Sequence, residues 1–185
     1  MPLADTAAAA PAPEAALDLD AARARLVRLL QDAHAGELAA AYAYRAHWKS
    51  LRRRPEARAE IRRIEGAEWH HREGVARMLT QLESRPRPWR EVGMASIGRS
   101  FGLLCFVTGF FGPMYMAGRL EAMNVGQYAE AGGHAAVLGL DGFTSELEAM
   151  RVEEDRHERF FGDQIRRHRL LPLARLFLHW SPPSP

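Results

Sequence analysis

Cysteine is almost absent from this chain, and so are the usual signals of β-structure. A single cysteine, Cys105, excludes a disulfide within the chain and excludes the Cys-x-x-Cys pairs of a rubredoxin-type electron-transfer module. There is no sustained two-residue alternation of apolar and polar residues, and no Asn-Gly or Asp-Gly turn joins β-branched runs. These absences exclude a disulfide-stapled or β-rich domain and predict an all-α fold.

An excess of one charge and a targeting segment are lacking as well. The chain has 25 Lys and Arg against 23 Asp and Glu, and a net charge of +2 is too even to indicate a nucleic-acid binder by itself. Residues 1–18 are rich in Ala and Pro, and acidic where a signal peptide is basic and then apolar, which predicts a disordered tail and no export. A Pro-rich tail is predicted at 181–185, which leaves one domain at 19–180.

Helical periodicity accounts for the rest of the chain. Pro55 suits the first position of a second helix, the "RPRP" sequence at 85–88 begins a crossover, and a Gly-Pro pair at 112–113 predicts a kink in the third helix. Ser145 and Glu148 form the pattern of a capping box at the start of the fourth. The pattern predicts a four-helix bundle with a crossover between two helical hairpins and a short C-terminal helix. The four predicted helices cover about 18–49, 55–83, 91–131 and 145–168.

Each of the four helices carries a carboxylate on its apolar stripe, and two of these belong to Glu-x-x-His units. Four unpartnered carboxylates in one core would cost several kcal/mol per ion, and their repulsion should raise their pKa values. Two divalent metal ions would neutralise the charge. One Glu from each of two helices, with a Glu-x-x-His from each of the others, is the ligand arrangement of ferritin-like di-iron and di-manganese bundles. The predicted ligands are Glu37, Glu68, His71, Glu121, Glu154 and His157.

An internal repeat supports the metal hypothesis. Tyr44 follows Glu37 by seven residues and Tyr128 follows Glu121 by seven, and the Glu-x-x-His units begin 31 and 33 residues after those glutamates. Two hairpins of the same design can pack about a pseudo-twofold axis and enclose two metals. A lone Glu-x-x-His would be weak evidence, since about one is expected by chance in such a chain, and a lone Glu is usually solvated.

Spacing also suggests roles within the predicted site. The glutamates of the two Glu-x-x-His units would bridge the metals, while Glu37 and Glu121 would each bind one. Tyr44 and Tyr128 are candidate catalytic residues that hold hydrogen bonds to the ligands or pass electrons, and the alternative is that they are core tyrosines. Oxygen and imidazole ligands with open positions favour iron, with manganese as the alternative.

The motifs resemble those of a known family, the demethoxyubiquinone hydroxylases of ubiquinone biosynthesis, over roughly residues 25–165. The resemblance implies a di-iron monooxygenase that uses O₂ and two electrons to hydroxylate the ring of a polyprenylated benzoquinol at a membrane surface, with the six residues above as iron ligands. The chain departs from the family at 126–127, where Gly-Gln stands in place of the usual histidine. The motifs are "AGELAAAYAY" at 35–44, "EWHH" at 68–71, "RPRP" at 85–88, "EAMNVGQY" at 121–128 and "EEDRH" at 153–157.

One segment, 100–118, contains no charged residue. Its glycines and proline, and its direct approach to a ligand helix, favour a core helix or an apolar substrate channel over a membrane span, and partial insertion in one leaflet stays open. Phe110 and Phe111 are the predicted membrane contacts. The basic run at 49–63 either meets anionic lipid headgroups or is a solvated loop. These features predict a cytoplasmic protein, peripheral on the inner face of the cytoplasmic membrane.

Two other functions stay open at this point. A di-iron tRNA hydroxylase would use the basic run, although the even net charge and the lack of interleaved aromatic residues disfavour nucleic acid. A ferritin-like protein that handles iron or peroxide without hydroxylation is the other alternative. The sequence also leaves open the electron donor and a homo-oligomer.

Overall fold

Helices make up most of the described chain. In this computed structural model, residues 13–184 are described, with side chains from residue 18 onward. This part of the chain contains no strand, which confirms the predicted all-α fold. The helices are α1 (Pro13–Ser50), α2 (Pro55–Gln81), α3 (Pro88–Leu104), α4 (Phe111–Val137), α5 (Asp141–Ile165) and α6 (Leu171–Leu178).

Two helical hairpins form the bundle. α1 packs along α2 and α4 packs along α5, while α1 also contacts α4 and α2 contacts α5. α3 links the hairpins and lies against α1. This architecture confirms the predicted ferritin-like bundle with a crossover, and α6 is the predicted short C-terminal helix.

Two apolar clusters fill the interior of the bundle. On α2, Ile61 and Ile64 belong to one cluster, and Val75 and Met78 belong to the other. All four side chains are at most 1% exposed. The buried polar residues of α2, at 68 and 71, lie between them on the same face of the helix. The polar residues of the bundle therefore occupy a layer with apolar packing above and below, which we call the polar layer.

The region predicted as one interrupted helix at 91–131 is two helices. α3 ends at Leu104 and α4 begins at Phe111, so the chain breaks at 105–110 and the predicted kink at 112–113 is wrong. Pro113 lies in the first turn of α4, where the N–H that proline lacks would have no helical partner. Gly109 makes the turn between the helices with a φ of 73°, a conformation that glycine adopts without steric cost.

The last long helix begins earlier than predicted. α5 starts at Asp141, so Ser145 lies within the helix and the predicted capping box of Ser145 and Glu148 is wrong. Gly139, with a φ of 67°, completes the turn that follows α4. Because one left-handed residue is enough to reverse the chain here, the helix resumes at once and the "GLDGFT" stretch is mostly helical.

The chain ends differ from the predicted tails at several of the described residues. Residues 1–12 of the tail predicted at 1–18 lie outside the described residues, and residues 13–18 begin α1. In the tail predicted at 181–185, Pro182 is buried and lies against Gly162 of α5. The domain boundary at 19–180 stays a prediction.

Candidate metal centre

The six predicted ligands come from four helices and meet in the polar layer. Each of them is at most 2% exposed. A helix places residues three apart on one face, which is why each Glu-x-x-His unit presents both of its side chains to the layer. Glu37 lies on α1, Glu68 and His71 on α2, Glu121 on α4, and Glu154 and His157 on α5.

These side chains form two groups that share two carboxylates. The first group is Glu37, Glu68, His71 and Glu154, and the second is Glu68, Glu121, Glu154 and His157. Within each group, one ligand atom per residue lies within 4.8 Å of the others. Carboxylates common to two adjacent groups are what bridging of two ions requires. The assignment of Glu68 and Glu154 as bridging ligands stays a prediction, and this geometry is compatible with it.

Many polar atoms in the layer have no hydrogen-bond partner. Each such atom costs about 1–3 kcal/mol and needs an explanation in a native fold. Their concentration in one layer indicates a shared positive partner. Carboxylate oxygens together with imidazole nitrogens suit iron or manganese, so the residues present fit the predicted ions. Among the described residues, the atoms are both carboxylate oxygens of Glu68 and of Glu154, Oε2 of Glu37, Nδ1 of His71 and both ring nitrogens of His157.

Both histidines direct one ring nitrogen toward the carboxylates. Nδ1 of His71 lies 2.8 Å from Oε1 of Glu154, but the two atoms are not aligned for a hydrogen bond. Nδ1 of His157 lies 3.5 Å from Oε1 of Glu68 and 3.5 Å from Oε2 of Glu154. Close approach without hydrogen bonding is the arrangement expected of atoms that bind a common ion.

The carboxyl groups of the polar layer have shifted pKa values. Burial is the largest cause that raises the pKa of Glu37, Glu68 and Glu121, and the charge of Glu154 raises all three further. For Glu154 itself, burial opposes ionisation, but the facing histidines hold its pKa below the usual range. The expectation that all four carboxyl pKa values rise without metal is therefore wrong for Glu154.

Hydrogen bonds from two tyrosines cross between the hairpins. The hydroxyl of Tyr44 donates to Oε1 of Glu121, and the hydroxyl of Tyr128 donates to Oε1 of Glu37. Burial raises the pKa of both tyrosines well above the ordinary value, so both hydroxyls remain protonated donors at neutral pH. Sequence spacing had related each tyrosine to the glutamate on its own helix, whereas the fold pairs it with the glutamate of the other hairpin. Asn124, three residues after Glu121 on α4, donates to Oε2 of Glu121 at 3.3 Å.

Sequence reasoning missed Glu153, which lies behind both histidines. Its carboxylate is 3.1 Å from Nε2 of His71 and 3.9 Å from Nε2 of His157. Arg63 approaches the same carboxylate within 3.4 Å. The position of Glu153, four residues before His157, could have indicated this proximity, because i and i+4 side chains lie close together on a helix. A carboxylate at the outer nitrogen of a histidine orients the ring and favours the tautomer whose other nitrogen can bind metal.

An apolar cavity of about 270 Å³ adjoins the polar layer and is enclosed by α1, α3 and α4. Tyr44 connects the two, since its ring lines the cavity and its hydroxyl donates to Glu121. Part of the uncharged segment 100–118 lines the cavity, which is compatible with the predicted apolar channel, and its role toward a substrate stays a prediction. Within 13–184, none of the helices combines the length and apolar character needed to span a membrane. The wall includes Ala39, Ile97, Phe101, Leu104, Met116 and Leu120.

Comparison with known proteins identifies a family. The family described as ubiquinone biosynthesis protein COQ7 matches residues 24–129 of the chain. This range includes four of the six predicted ligands and both tyrosines, and it ends before Glu154 and His157. Comparisons with curated proteins and with solved structures give no match. The family match confirms the resemblance seen in the sequence motifs.

Proposed function

Since the chain belongs to the COQ7 family of ubiquinone biosynthesis proteins, we propose that it is a di-iron monooxygenase that uses O₂ to hydroxylate the ring of a polyprenylated benzoquinol. The observation that carries the proposal is that two buried ligand groups share Glu68 and Glu154 directly beside an apolar cavity. A paired metal site suits chemistry with O₂, and an apolar cavity suits a ring that bears a prenyl tail.

In this proposal, two iron ions are held by all six ligands. Both ions would share Glu68 and Glu154, Glu37 and Glu121 would each hold one ion, and each histidine would contribute one nitrogen. Two ferrous ions, when bound, supply the redox chemistry that O₂ reduction needs. One oxygen atom enters the ring and the other leaves as water, with two electrons from a donor outside this chain. Manganese is the alternative metal, because the same ligands suit it.

The residues around the ligands keep the site in order. Tyr44 and Tyr128 hold the terminal carboxylates from the opposite hairpin, so the position of each carboxylate depends on both hairpins. Glu153 orients His71 from outside through a hydrogen bond to its Nε2. The apolar clusters above and below the polar layer exclude water, which strengthens every electrostatic interaction within it.

The proposed substrate requires access to a membrane surface. In the linker between α3 and α4, Phe106 and Val107 are 56% and 77% exposed. The guanidinium of Arg54 lies 3.9 Å from the ring centre of Phe110 at the end of this linker, and Arg54 shares a surface pocket with Arg166. Exposed apolar side chains near arginines suit a surface of anionic lipid. We place the protein in the cytoplasm, peripheral on the inner face of the cytoplasmic membrane.

Reconstitution with a defined substrate tests the proposed reaction. Iron-loaded protein with a reductant, ¹⁸O₂ and a short-chain benzoquinol that has one unsubstituted ring position should add one hydroxyl group, with its oxygen from ¹⁸O₂. Glu121→Ala should lose this activity together with its metal. Glu148→Ala, an exposed change on α5, should keep both.

Three results would count against the reaction. Protein that holds about two irons per chain but incorporates no ¹⁸O would contradict hydroxylation of this substrate. Hydroxylation of tRNA in its place would favour the nucleic-acid alternative. Iron oxidation without any hydroxylated product would favour the ferritin-like alternative.

A further inference from the structure

A buried histidine in the cavity wall has no part in the proposed metal centre. His47 follows Tyr44 by three residues on α1, is 2% exposed and lines the apolar cavity. Its Nε2 has no hydrogen-bond partner among the described residues. A buried polar atom without a partner destabilises the fold. The ring of His47 also lines the cavity, so a ligand that enters the cavity is the partner we consider for its imidazole.

The ring of His47 is ordered and uncharged. It stacks on Phe161, with ring centroids 6.4 Å apart and ring planes at 11°. Burial lowers the pKa of His47 to about 4, so the imidazole is neutral near pH 7. A neutral imidazole has one N–H donor and one acceptor nitrogen. It can therefore bind a hydroxyl as an acceptor or a carbonyl as a donor.

Most other polar side chains of the wall already have partners. The hydroxyls of Tyr44 and Thr108 and the thiol of Cys105 all donate to groups of the protein. Arg119 also lines the cavity, but a guanidinium can only donate. His47 is thus the wall residue that can hydrogen-bond to an uncharged oxygen substituent on a ring, whether that oxygen is a hydroxyl or a carbonyl.

We propose that His47 binds the oxygen-bearing head of an otherwise apolar ligand, with its imidazole hydrogen-bonded to a ring hydroxyl or carbonyl. This inference rests on the proposed quinol substrate and names the residue that recognises it. Three residues of helix rise by about 4.5 Å, so His47 lies one turn from Tyr44, whose hydroxyl holds the proposed ligand Glu121. A ring bound at His47 is therefore close to the metal centre, while its tail contacts the apolar wall.

Two probes with the same tail separate polar recognition from shape. Decylbenzoquinone carries ring oxygens and decylbenzene does not, and both are titrated into metal-loaded protein without reductant so that nothing turns over. We expect His47→Leu to weaken decylbenzoquinone binding about five- to tenfold, the effect of one hydrogen bond. Decylbenzene binding should change less than about twofold. His47→Gln keeps a donor and an acceptor and should retain quinone binding within about threefold of the parent.

The outcomes distinguish this inference from the proposed reaction. If His47→Leu loses affinity equally for both probes, the inference is overturned, because the shape of the cavity alone would then determine binding. Unchanged quinone binding in His47→Leu, or a parent protein that binds neither probe, would overturn it as well. A parent that binds the quinone through His47 but hydroxylates no quinol would refute the proposed reaction and leave the binding site in place.

Discussion

At the scale of single residues, the side chains behind the predicted ligands form contacts that help to define the site. Glu153 faces the outer nitrogens of both His71 and His157. The corresponding position before the first Glu-x-x-His unit is Ala67, which has no carboxylate. Glu153 hydrogen-bonds the His71 ring and lies 3.9 Å from the His157 ring, so the pseudo-symmetry of the two hairpins is broken behind the predicted ligands.

Loss of Glu153 should weaken metal binding through His71. We expect Glu153→Ala to lower metal affinity about 10- to 100-fold, because the His71 ring loses the carboxylate that orients it. Competition with a chelator measures the affinity. Glu148→Ala removes an exposed carboxylate of the same helix, paired with Arg151, and is the control. Unchanged affinity in Glu153→Ala would mean that packing alone orients the rings.

The neutral state of His47 predicts a pH-dependent stability. Because burial lowers its pKa from 6.5 to about 4, the unfolded chain takes up a proton before the folded chain does as the pH falls. The contribution of neutral His47 to the free energy of unfolding is therefore complete above pH 6.5 and is lost as the pH falls toward 4.

Urea unfolding of metal-free protein at two pH values tests this prediction. Between pH 7.5 and pH 5, we expect the parent to lose about 2 kcal/mol more of its unfolding free energy than His47→Gln does. His70→Gln, a change at an exposed histidine, should follow the parent. If the unfolding free energies of the parent and His47→Gln change in parallel with pH, the pKa of His47 is the same in the folded and unfolded chain, which would contradict the prediction.

At the scale of elements, α3 is the helix whose position defines the cavity. A Cβ built on Gly98 would lie 2.3 Å from the carbonyl oxygen of Ala39 on α1, so no other residue fits there without moving a helix. Near the start of α3, Glu91 lies 2.8 Å from Nδ1 of His34 on α1 and 2.5 Å from the guanidinium of Arg72 on α2. These contacts hold α3 against the first hairpin.

A pair of glycine substitutions on α3 tests the close helix contact. Gly98→Ala should lower the unfolding free energy by about 1–3 kcal/mol, because the added methyl group meets backbone atoms that cannot yield. Gly93→Ala, with nothing within 4 Å of the new Cβ, should raise it by up to about 1 kcal/mol through helix propensity. Urea unfolding measures both variants. Equal effects of the two changes would contradict the close contact between α1 and α3.

At the scale of the whole molecule, the proposed metal binding should be coupled to folding. The polar layer brings carboxylates of all four bundle helices within a few ångströms, and the buried residues among those described include no lysine or arginine. Without metal, repulsion among these groups opposes the closing of the two hairpins. An ion that binds only the folded chain stabilises it by mass action.

Removal of metal and neutralisation of Glu121 should have opposite effects on stability. A chelator should lower the unfolding free energy of the parent by about 4 kcal/mol if the free ion was at about 1,000 times its Kd. Metal-free Glu121→Gln should be more stable than the metal-free parent, since it removes one charge and keeps an acceptor for Tyr44. Urea unfolding with and without chelator measures both effects. If Glu121→Gln binds both metals as tightly as the parent, Glu121 is not a ligand.

Membrane attachment is also a property of the whole molecule. The predicted contacts Phe110 and Phe111 are partly covered, since Arg54 lies over Phe110 and His168 stacks on Phe111 at 4.4 Å. The exposed linker residues Phe106 and Val107 are better candidates.

Flotation with anionic vesicles tests this surface. We expect the double change Phe106→Ser and Val107→Ser to weaken binding at least about tenfold, because two apolar side chains no longer enter the lipid. Its metal content should not change. Val137→Ser, at the exposed far end of α4, is the control. No co-flotation of the parent at low or high salt, together with salt-sensitive retention of tRNA, would favour the nucleic-acid alternative.

The sequence by itself determined what depends on neighbours within one helix. Spacing of three placed Glu68 with His71 and Glu154 with His157, and periodicity placed Glu37 and Glu121 on apolar stripes, because helical geometry is local. The charge of these residues then predicted a metal site. Only the tertiary structure decided which helices face each other. It paired Tyr44 with Glu121, 77 residues away, set Glu153 against His71, 82 residues away, and enclosed His47 in a cavity wall. Contacts between helices far apart in the chain leave no periodic pattern in the sequence, and packing alone establishes them.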